Sequence, residues 1–192
     1  MEYYNNNAQA FADATLHIDM SALYAPFLQH LPPKPRVLDA GCGAGRDANA
    51  FTQMGFTVEA FDASEALVHI AKQQGEFIVE RNTFLGFTRP YTFDGIWACA
   101  SLLHVPATEL PNTLKHLASL LANTGVFYVS FKYGTDDTER DGRHFTNCDE
   151  TRLAALLENT GLHVAEIWRT HDKRPNRDKE LWLNALLRKN HV

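Results

Sequence analysis

Apolar residues along this chain follow two alternating patterns. Short runs such as 93–100 and 126–131 are almost wholly apolar, as buried strands are. Between such runs, apolar residues recur every three or four positions, which is typical of one face of a helix. The alternation predicts a mostly parallel sheet covered by helices on both faces. The run 93–100 is too apolar for a strand with one wet face, so we expect it at the centre of the sheet.

Caps and breakers set the expected boundaries of these elements. Ser64 can cap a helix, Pro111 suits a first helical turn, and Gly55 and Gly125 suit helix ends. The predicted strands are 37–38, 56–61, 77–79, 93–100 and 126–131, and the predicted helices are 46–54, 64–74, 110–124 and 149–159.

The two ends of the chain differ from this middle part. The first thirty residues predict two helical pieces, which the prolines at 32, 33 and 35 stop. Near the other end, 162–169 and 181–187 flank a polar segment, and they predict two strands joined by a long hairpin loop. The charges of that loop, 170–180, largely cancel, which favours a solvated turn over a basic patch for tRNA or an acidic partner. Trp182 and Asn184 lie in the last strand, where Asn184 either faces a pocket or bonds a neighbouring strand.

Composition narrows the class of protein. The 192 residues are 45% hydrophobic, which suits a single domain with a full core. No apolar run approaches the roughly 20 residues that span a bilayer, and the first residues lack a secretory pattern, so we expect a cytoplasmic protein without a membrane partner. Three cysteines without metal-ligand spacing predict neither a disulfide nor a metal site. The net charge of −5 argues against a broad phosphate-binding face, although a local basic patch stays open.

The segment 39–46, Asp-Ala-Gly-Cys-Gly-Ala-Gly-Arg, carries the most specific chemistry. Its glycines have no Cβ to keep a ligand away from the backbone, and a helix begins near Arg46. About twenty residues later Asp62 closes a second strand, where a carboxylate can accept hydrogen bonds from both hydroxyls of a ribose. The dinucleotide fingerprint has its third glycine at the place of position 46, which is an arginine here. This difference weakens the hypothesis that the chain is a nicotinamide oxidoreductase. The pattern therefore indicates a nucleoside-cofactor site of another kind.

The order D-x-G-x-G-x-G from Asp39 to Gly45 resembles motif I of the class I S-adenosylmethionine-dependent methyltransferases. This resemblance implies an α/β fold with a Rossmann-like seven-stranded, mostly parallel sheet whose last strand is antiparallel. It implies one such domain over residues 1–192, with 1–30 as a helical cap over the cofactor. The implied cofactor is S-adenosylmethionine, and its product is S-adenosylhomocysteine.

The resemblance also implies which residues hold the cofactor. Asn82 stands where many relatives have an Asp for the adenine amine, and its carbonyl could accept the same bond. Phe84 either lies against the adenine or belongs to the core. The implied cofactor residues are Tyr4, Thr15, Asp39, Gly41, Cys42, Gly43, Gly45, Arg46, Asp62, Ala63, Asn82, Thr83, Phe84 and Ala98.

The segment 97–106, after the fourth strand, bears on the methyl acceptor. It lacks the Asn/Asp-Pro-Pro-aromatic sequence of enzymes that methylate base amines, which disfavours that target. Methyltransferases that act on C5 of pyrimidines have a nucleophilic cysteine after a proline near this point. No proline precedes Cys99, and a buried cysteine usually packs as a small hydrophobic residue, so a nucleophilic role for Cys99 is disfavoured. The residues Ser101-Leu-Leu-His104 resemble small stand-alone bacterial methyltransferases, including ubiquinone-biosynthesis and tellurite-resistance enzymes. Their substrates differ widely.

We expect His104 to be the general base, unless it only caps the turn at Pro106. Lys132, Tyr133 and Arg143 follow the fifth strand and are expected to border the acceptor, together with His144. Such cations suit an anionic small molecule, and Arg46 either joins them or pairs with a neighbouring carboxylate.

Three functions stay open on the sequence. The first is methyl transfer to an O, N or S atom of a small molecule. The others are methylation of an RNA base or a protein side chain, and a non-catalytic S-adenosylmethionine sensor or scaffold. Nucleic acid is disfavoured as a partner, and a monomer and a homodimer are both compatible with the sequence.

Overall fold

The computed structural model describes residues 2–174 and 177–190. It contains a seven-stranded sheet and a separate two-stranded ribbon. The strands are β1 Arg36–Ala40, β2 Thr57–Asp62, β3 Ile78–Arg81, β4 Phe93–Ala98, β5 Leu121–Lys132, β6 Asp137–Arg140, β7 Arg143–Thr146, β8 Leu162–His171 and β9 Leu181–Lys189. The helices are α1 Glu2–Asn6, α2 Ala8–Thr15, α3 Ser21–Leu28, α4 Arg46–Gln53, α5 Glu65–Ala71, α6 Leu110–Leu120 and α7 Glu150–Leu156, with a short 3-10 helix at Leu102–His104.

The large sheet has the strand order β3-β2-β1-β4-β5-β9-β8. The strands β1 to β5 pair in parallel, and β9 runs antiparallel to both of its neighbours. This confirms the expected Rossmann-like α/β class with a last antiparallel strand. The chain leaves β1 toward one edge and returns on the other side as β4, and ligands bind at the carboxyl ends of strands where the order reverses in this way.

Apolar side chains of the central strands divide between two core layers. Val37 and Trp97 pack on one face with residues of α3, α4 and α5, and Leu38 and Ile96 pack on the other with residues of α6 and α7. Successive strand residues point to opposite faces, so a run buried throughout requires helices on both sides. The predicted central place of the run 93–100 is confirmed, because β4 lies between β1 and β5.

Two helices begin at side-chain caps. The hydroxyl of Ser64 accepts the N–H of Leu67 at 3.2 Å, as expected, and the carboxylate of Asp149 accepts the N–H of Arg152 at 2.7 Å. Each bond satisfies a first-turn donor that the helix itself leaves unpaired. Within the described ranges, no helix is both long and apolar enough to cross a membrane.

The sequence-based boundaries were wrong in three places. The first thirty residues form three helices rather than two. The helix predicted over 110–124 ends at Leu120, and Leu121 already pairs with Phe93 in the sheet. Gly125 does not end a helix: a Cβ there would lie 2.7 Å from Cδ1 of Leu121 and 3.0 Å from the carbonyl oxygen of Asp94, so this glycine permits close packing at the sheet. No strands were predicted at β6 and β7, which form the ribbon.

The remaining boundaries agree to within a few residues. The third strand lies at Ile78–Arg81 rather than 77–79, and the last helix ends at Leu156 rather than 159. The expected hairpin of β8 and β9 is confirmed. Its residues 175 and 176 lie outside the described ranges.

Candidate functional site

A cavity of about 1450 Å³ lies at the carboxyl ends of β1, β2 and β4. Its wall also includes residues of α1 and α2, of β7, and of the loop between β8 and β9. Sites for one small molecule commonly measure about 300 to 1,000 Å³. The cavity therefore has room for two small molecules side by side.

The glycine turn after β1 forms part of this wall. Gly41 has φ 77°, and a Cβ there would lie 2.5 Å from the Cβ of Ser101, so no larger residue fits. Ser101 in turn donates from its hydroxyl to the carbonyl of Ala40 at 2.7 Å, which fixes the end of β4 beside the end of β1. Gly45 does not line the cavity; a Cβ there would lie 3.0 Å from the Cβ of Ala71, so its role is the packing of α4 on α5.

The carboxylate of Asp62 is oriented by the backbone. It accepts the N–H of Gly43 at 2.9 Å and the N–H of Ser64 at 2.9 Å, one on each oxygen. Burial raises the pKa of Asp62, although these N–H groups act in the opposite direction. A carboxylate oxygen has two acceptor positions, so each oxygen can accept one more hydrogen bond from a ligand.

The positive charge of Arg46 is balanced by an ion pair inside the protein. Its Nε and one terminal nitrogen contact the two carboxylate oxygens of Asp47 at 2.7 and 2.9 Å. The same carboxylate accepts the hydroxyl of Tyr24 at 2.6 Å and the indole N–H of Trp97 at 2.8 Å. Burial alone would raise the pKa of Asp47, but Arg46 and the two neutral donors outweigh it and leave this pKa below its ordinary value. Arg46 is therefore a structural partner and not a free cation for a substrate.

Asp39 has the opposite environment. It is 2% exposed, and its Oδ2 has no hydrogen-bond partner among the described residues. Burial, followed by repulsion from Asp47, raises the pKa of Asp39 well above its ordinary value. An unpaired buried carboxylate is costly, and the arrangement becomes favourable when a cation or a hydrogen-bond donor binds beside it.

The residues after β3 are held by their own contacts. The side-chain oxygen of Asn82 accepts the N–H of Thr83 at 2.9 Å, and its amide donates to Glu80 at 2.9 Å. Phe84 packs edge-on against Phe61, with ring centroids 5.6 Å apart, and also borders the cavity. Both roles considered for Phe84 are thus compatible with its position.

His104 is bonded at both ring nitrogens. Its Nδ1 lies 2.8 Å from the carbonyl oxygen of His144, and its Nε2 lies 2.7 Å from the hydroxyl of Tyr4. Neither nitrogen caps the turn at Pro106. Burial, with a smaller contribution from the positive charge of Arg143, lowers the pKa of His104 to about 4. The imidazole is therefore neutral at physiological pH, as a general base must be before it accepts a proton.

Arg143 has an aromatic setting. Its guanidinium carbon lies 3.9 Å from the ring centroid of Tyr3 and 5.3 Å from that of Phe145. One terminal nitrogen contacts the exposed Asp141 at 3.1 Å, and the buried Nε has no partner among the described residues. Arg143 thus retains a donor for an anionic group.

The structure brings most of the predicted site residues together. Ala98 is fully buried in β4, and Tyr133 lies outside this cavity, where its hydroxyl bonds Glu150 at 3.2 Å. Lys132 borders the cavity but is paired with Glu180 at 2.9 Å. The wall contains Tyr4, Thr15, Asp39, Gly41, Cys42, Gly43, Arg46, Asp62, Ala63, Asn82, Thr83, Phe84, His104, Lys132 and Arg143.

Sequence reasoning missed several residues of the wall. Asp47 follows the motif directly, yet its type alone does not show that it binds Arg46, Tyr24 and Trp97. The loop of β8 and β9 was predicted as a solvated turn, but Asp172, Lys173, Arg174 and Arg177 border the cavity. The polarity of this loop was a signal, but its position over the site depends on the path of the last two strands.

Comparison with known proteins identifies the family. Residues 13–167 match the sequence profile of a family described as a methyltransferase domain. The chain belongs to this family. S-adenosylmethionine is the cofactor of the family, which confirms the cofactor expected from the glycine turn.

A curated relative of this methyltransferase-domain chain is the ubiquinone biosynthesis O-methyltransferase of Xanthomonas campestris pv. campestris strain B100. The two are 31% identical over 105 residues, which cover 51% of this chain and 43% of the relative. The chain thus spans less than half the length of the curated relatives it matches.

Solved methyltransferase structures share the fold. The 1,6-didemethyltoxoflavin-N1-methyltransferase of Burkholderia thailandensis, with bound 1,6-didemethyltoxoflavin and S-adenosylhomocysteine, has a TM-score of 0.79 at 24% identity and covers 99% of this chain and 85% of its own. A TehB-like methyltransferase of Corynebacterium glutamicum has a TM-score of 0.76 at 20% identity, with 98% and 99% covered.

The methyltransferase cofactor fits the residues present. S-adenosylmethionine carries an ammonium and a sulfonium charge, and the unpaired Oδ2 of Asp39 is a buried acceptor for positive charge. Asp62 has carboxylate oxygens held for a diol by two backbone N–H groups.

Proposed function

We propose that this protein is an enzyme that transfers a methyl group from S-adenosylmethionine to an O, N or S atom of a small anionic molecule. One observation carries the proposal. The same cavity is lined by Asp39 and Arg143, and among the described residues neither the buried Oδ2 of Asp39 nor the buried Nε of Arg143 has a hydrogen-bond partner. A cationic donor and an anionic acceptor are the pair of ligands that would satisfy both.

The donor supplies a methyl group that is already activated by the positive charge on its sulfur. The task of the protein is therefore to bind the two substrates, to orient them, and to exclude water from the site. Asp39 and Asp62 are the groups we assign to the donor, at its charged end and its ribose respectively. The backbone contacts of Asp62 fix that carboxylate before any ligand arrives, which reduces the ordering cost of binding.

On the acceptor side, we assign His104 and Arg143. The neutral imidazole of His104 can take a proton from an O–H, N–H or S–H group, and its buried site removes competing water. Arg143 can bind a carboxylate or phosphate, and the rings of Tyr3 and Phe145 beside it hold the guanidinium in place. The cavity volume, large enough for two small molecules, agrees with simultaneous binding.

The proposal includes one domain over residues 1–192, with the first helices as a cap. Two contacts support the cap: Asn5 accepts the hydroxyl of Ser64 at 2.7 Å, and Arg46 reaches the carbonyl of Thr15 at 3.4 Å. We also propose a cytoplasmic location, in agreement with three free cysteines.

The first experiment is calorimetric titration with S-adenosylmethionine, S-adenosylhomocysteine and NADH in parallel. We expect one-to-one binding of both adenosyl compounds and none of NADH. Release of S-adenosylhomocysteine is then measured with small carboxylic acids and phosphates that carry a hydroxyl, amine or thiol, and with matched neutral analogues. Turnover of the acids above their analogues supports the proposal, and a preference for the neutral analogues contradicts the role of Arg143.

Two further outcomes point to the competing functions. Binding of the cofactor with turnover only on RNA or protein would move the acceptor to a macromolecule, and RNA binding would fall steeply with salt. Cofactor binding without turnover on any of these would indicate a sensor. For the base, His104→Ala should lower turnover while cofactor affinity is retained; unchanged turnover would end that assignment.

A further inference from the structure

Tyr4 was expected to bind the cofactor, but its hydroxyl contacts the candidate base. The Tyr4 oxygen lies 2.7 Å from Nε2 of His104, and the two rings meet edge-on with centroids 5.4 Å apart. The ring of Phe11 also packs edge-on against Tyr4, with ring centroids 5.4 Å apart. Tyr4 therefore contacts the rings of both His104 and Phe11.

The direction of these hydrogen bonds follows from the groups themselves. The carbonyl of His144 can only accept, so Nδ1 of His104 carries the hydrogen of the bond between them. In a neutral imidazole the other nitrogen then has a free electron pair, so Nε2 accepts and the hydroxyl of Tyr4 donates. The accepting nitrogen of His104 is therefore occupied by the hydroxyl of Tyr4.

We propose that Tyr4 is a second catalytic residue, whose hydroxyl relays the proton of the methyl acceptor to Nε2 of His104. This inference rests on the proposed function. In the step, the acceptor's O–H or N–H bond breaks and its proton bonds to the Tyr4 oxygen, while the original Tyr4 proton bonds to Nε2. The electron pair left on the acceptor forms the new bond to the methyl carbon, and the pair of the old carbon–sulfur bond stays on sulfur.

Arg143 connects this relay to the choice of acceptor. The charged and titratable groups near His104 and Tyr4 include Arg143 and His144 from β7, Tyr3 from α1, Asp62 from β2, and Arg174. The guanidinium of Arg143 lies 5.8 Å from the ring centroid of Tyr4, and its charge opposes an imidazolium nearby. An acidic group that pairs with Arg143 offsets this charge, so the relay favours acceptors that carry an acid near the nucleophile.

The relay is tested first without any acceptor, by nitrogen NMR of the full chain labelled at histidine. His104→Gln assigns the resonance of His104. In the wild type we expect a neutral ring protonated at Nδ1 at pH 7. Tyr4→Phe removes only the hydroxyl, and the Nε2 resonance should move downfield as its hydrogen bond is lost. Tyr133→Phe is the matched control, because that tyrosine also bonds one side chain but lies outside the cavity; it should leave the resonance unchanged.

The second readout is turnover of the small acids used to test the proposed function, including 3-hydroxybenzoate and anthranilate. Loss of a relay group should lower kcat about 10²- to 10⁴-fold, while the Kd of S-adenosylmethionine stays within twofold. If the imidazole of His104 is protonated at Nε2, or if its Nε2 resonance is unchanged in Tyr4→Phe, the relay is overturned regardless of activity. Full turnover in Tyr4→Phe also overturns it, and so does a loss of cofactor affinity that accounts for the loss of rate. A wild type that binds no S-adenosylmethionine overturns the proposed function instead.

Discussion

Asp39 and Asp47 lie close enough for their charges to repel, yet only Asp47 is fully satisfied. Arg46, Tyr24 and Trp97 donate to both oxygens of Asp47, whereas Oδ2 of Asp39 has no donor among the described residues. The two carboxylates therefore differ in protonation, with a lowered pKa for Asp47 and a strongly raised pKa for Asp39. The first carboxylate is satisfied within the protein, and we propose that the second binds the cofactor.

Asp39→Asn tests the unpaired carboxylate. An acid whose pKa is raised by folding binds more protons folded than unfolded, so wild-type stability without cofactor should fall as pH rises above the ordinary range of Asp. The variant should lose most of this slope in thermal unfolding from pH 4 to pH 8 and be more stable than the wild type at pH 8. Because the pKa of Asp62 is also raised, the stability of the variant should still fall with pH, with a smaller slope than that of the wild type.

The same variant should bind S-adenosylmethionine about 10- to 100-fold more weakly, because a charge-assisted contact is lost. In the wild type, cofactor affinity should rise with pH, since binding of a cation releases the proton of Asp39. Calorimetry in buffers of different ionisation enthalpy measures that proton directly. Equal affinity and equal proton release in the variant would remove Asp39 from the site.

Asp47→Ala should destabilise the fold by about 3 to 5 kcal/mol, because it leaves the buried charge of Arg46 and two buried donors without partners. Urea unfolding at pH 7 measures the change in the free energy of unfolding. Glu65→Gln is the control, since its ion pair with Arg81 is exposed and should contribute less than about 1 kcal/mol. A loss for Asp47→Ala as small as that of the control would contradict the buried network.

Asp62→Ala should weaken binding of S-adenosylmethionine by about 1 to 3 kcal/mol, through loss of hydrogen bonds to a charged group. Because Asp62 also anchors the N–H groups of Gly43 and Ser64, Asp62→Asn is measured beside it as the variant that keeps the shape of the side chain. Circular dichroism checks the fold of both. If affinity is unchanged in both folded variants, Asp62 does not bind the ribose.

Cys99 should not react with iodoacetamide in the native protein at pH 8. Burial raises the pKa of Cys99 to about 12, so almost no thiolate is present. Cys148 should behave alike, with its pKa also raised to about 12 by burial. Mass spectrometry of native and urea-unfolded protein compares the labelling. Rapid labelling of native Cys99 would revive the nucleophile that the absence of a preceding proline disfavours.

Much of the fold could be predicted because local patterns and tertiary structure agree. The almost wholly apolar run around Trp97 requires helices on both faces, and both core layers are present. Ser64 was recognisable as a cap because its bond to Leu67 spans only three residues. The end of α6 at Leu120 could not be predicted, because the pairing of Leu121 with Phe93 is a long-range contact that overrides the helical spacing.

The sequence by itself determined the cofactor and the sheet, since the glycine turn, Asp39 and Asp62 follow a local spacing that the backbone of one strand-helix-strand unit dictates. Only the tertiary structure decided how the charges are shared. Arg46 is paired with Asp47, the Nε of Arg143 has no partner among the described residues, and Tyr4 bonds His104, which lies 100 positions further along the chain. Such pairings depend on which elements the topology brings to one edge of the sheet. No local sequence pattern encodes these long-range contacts.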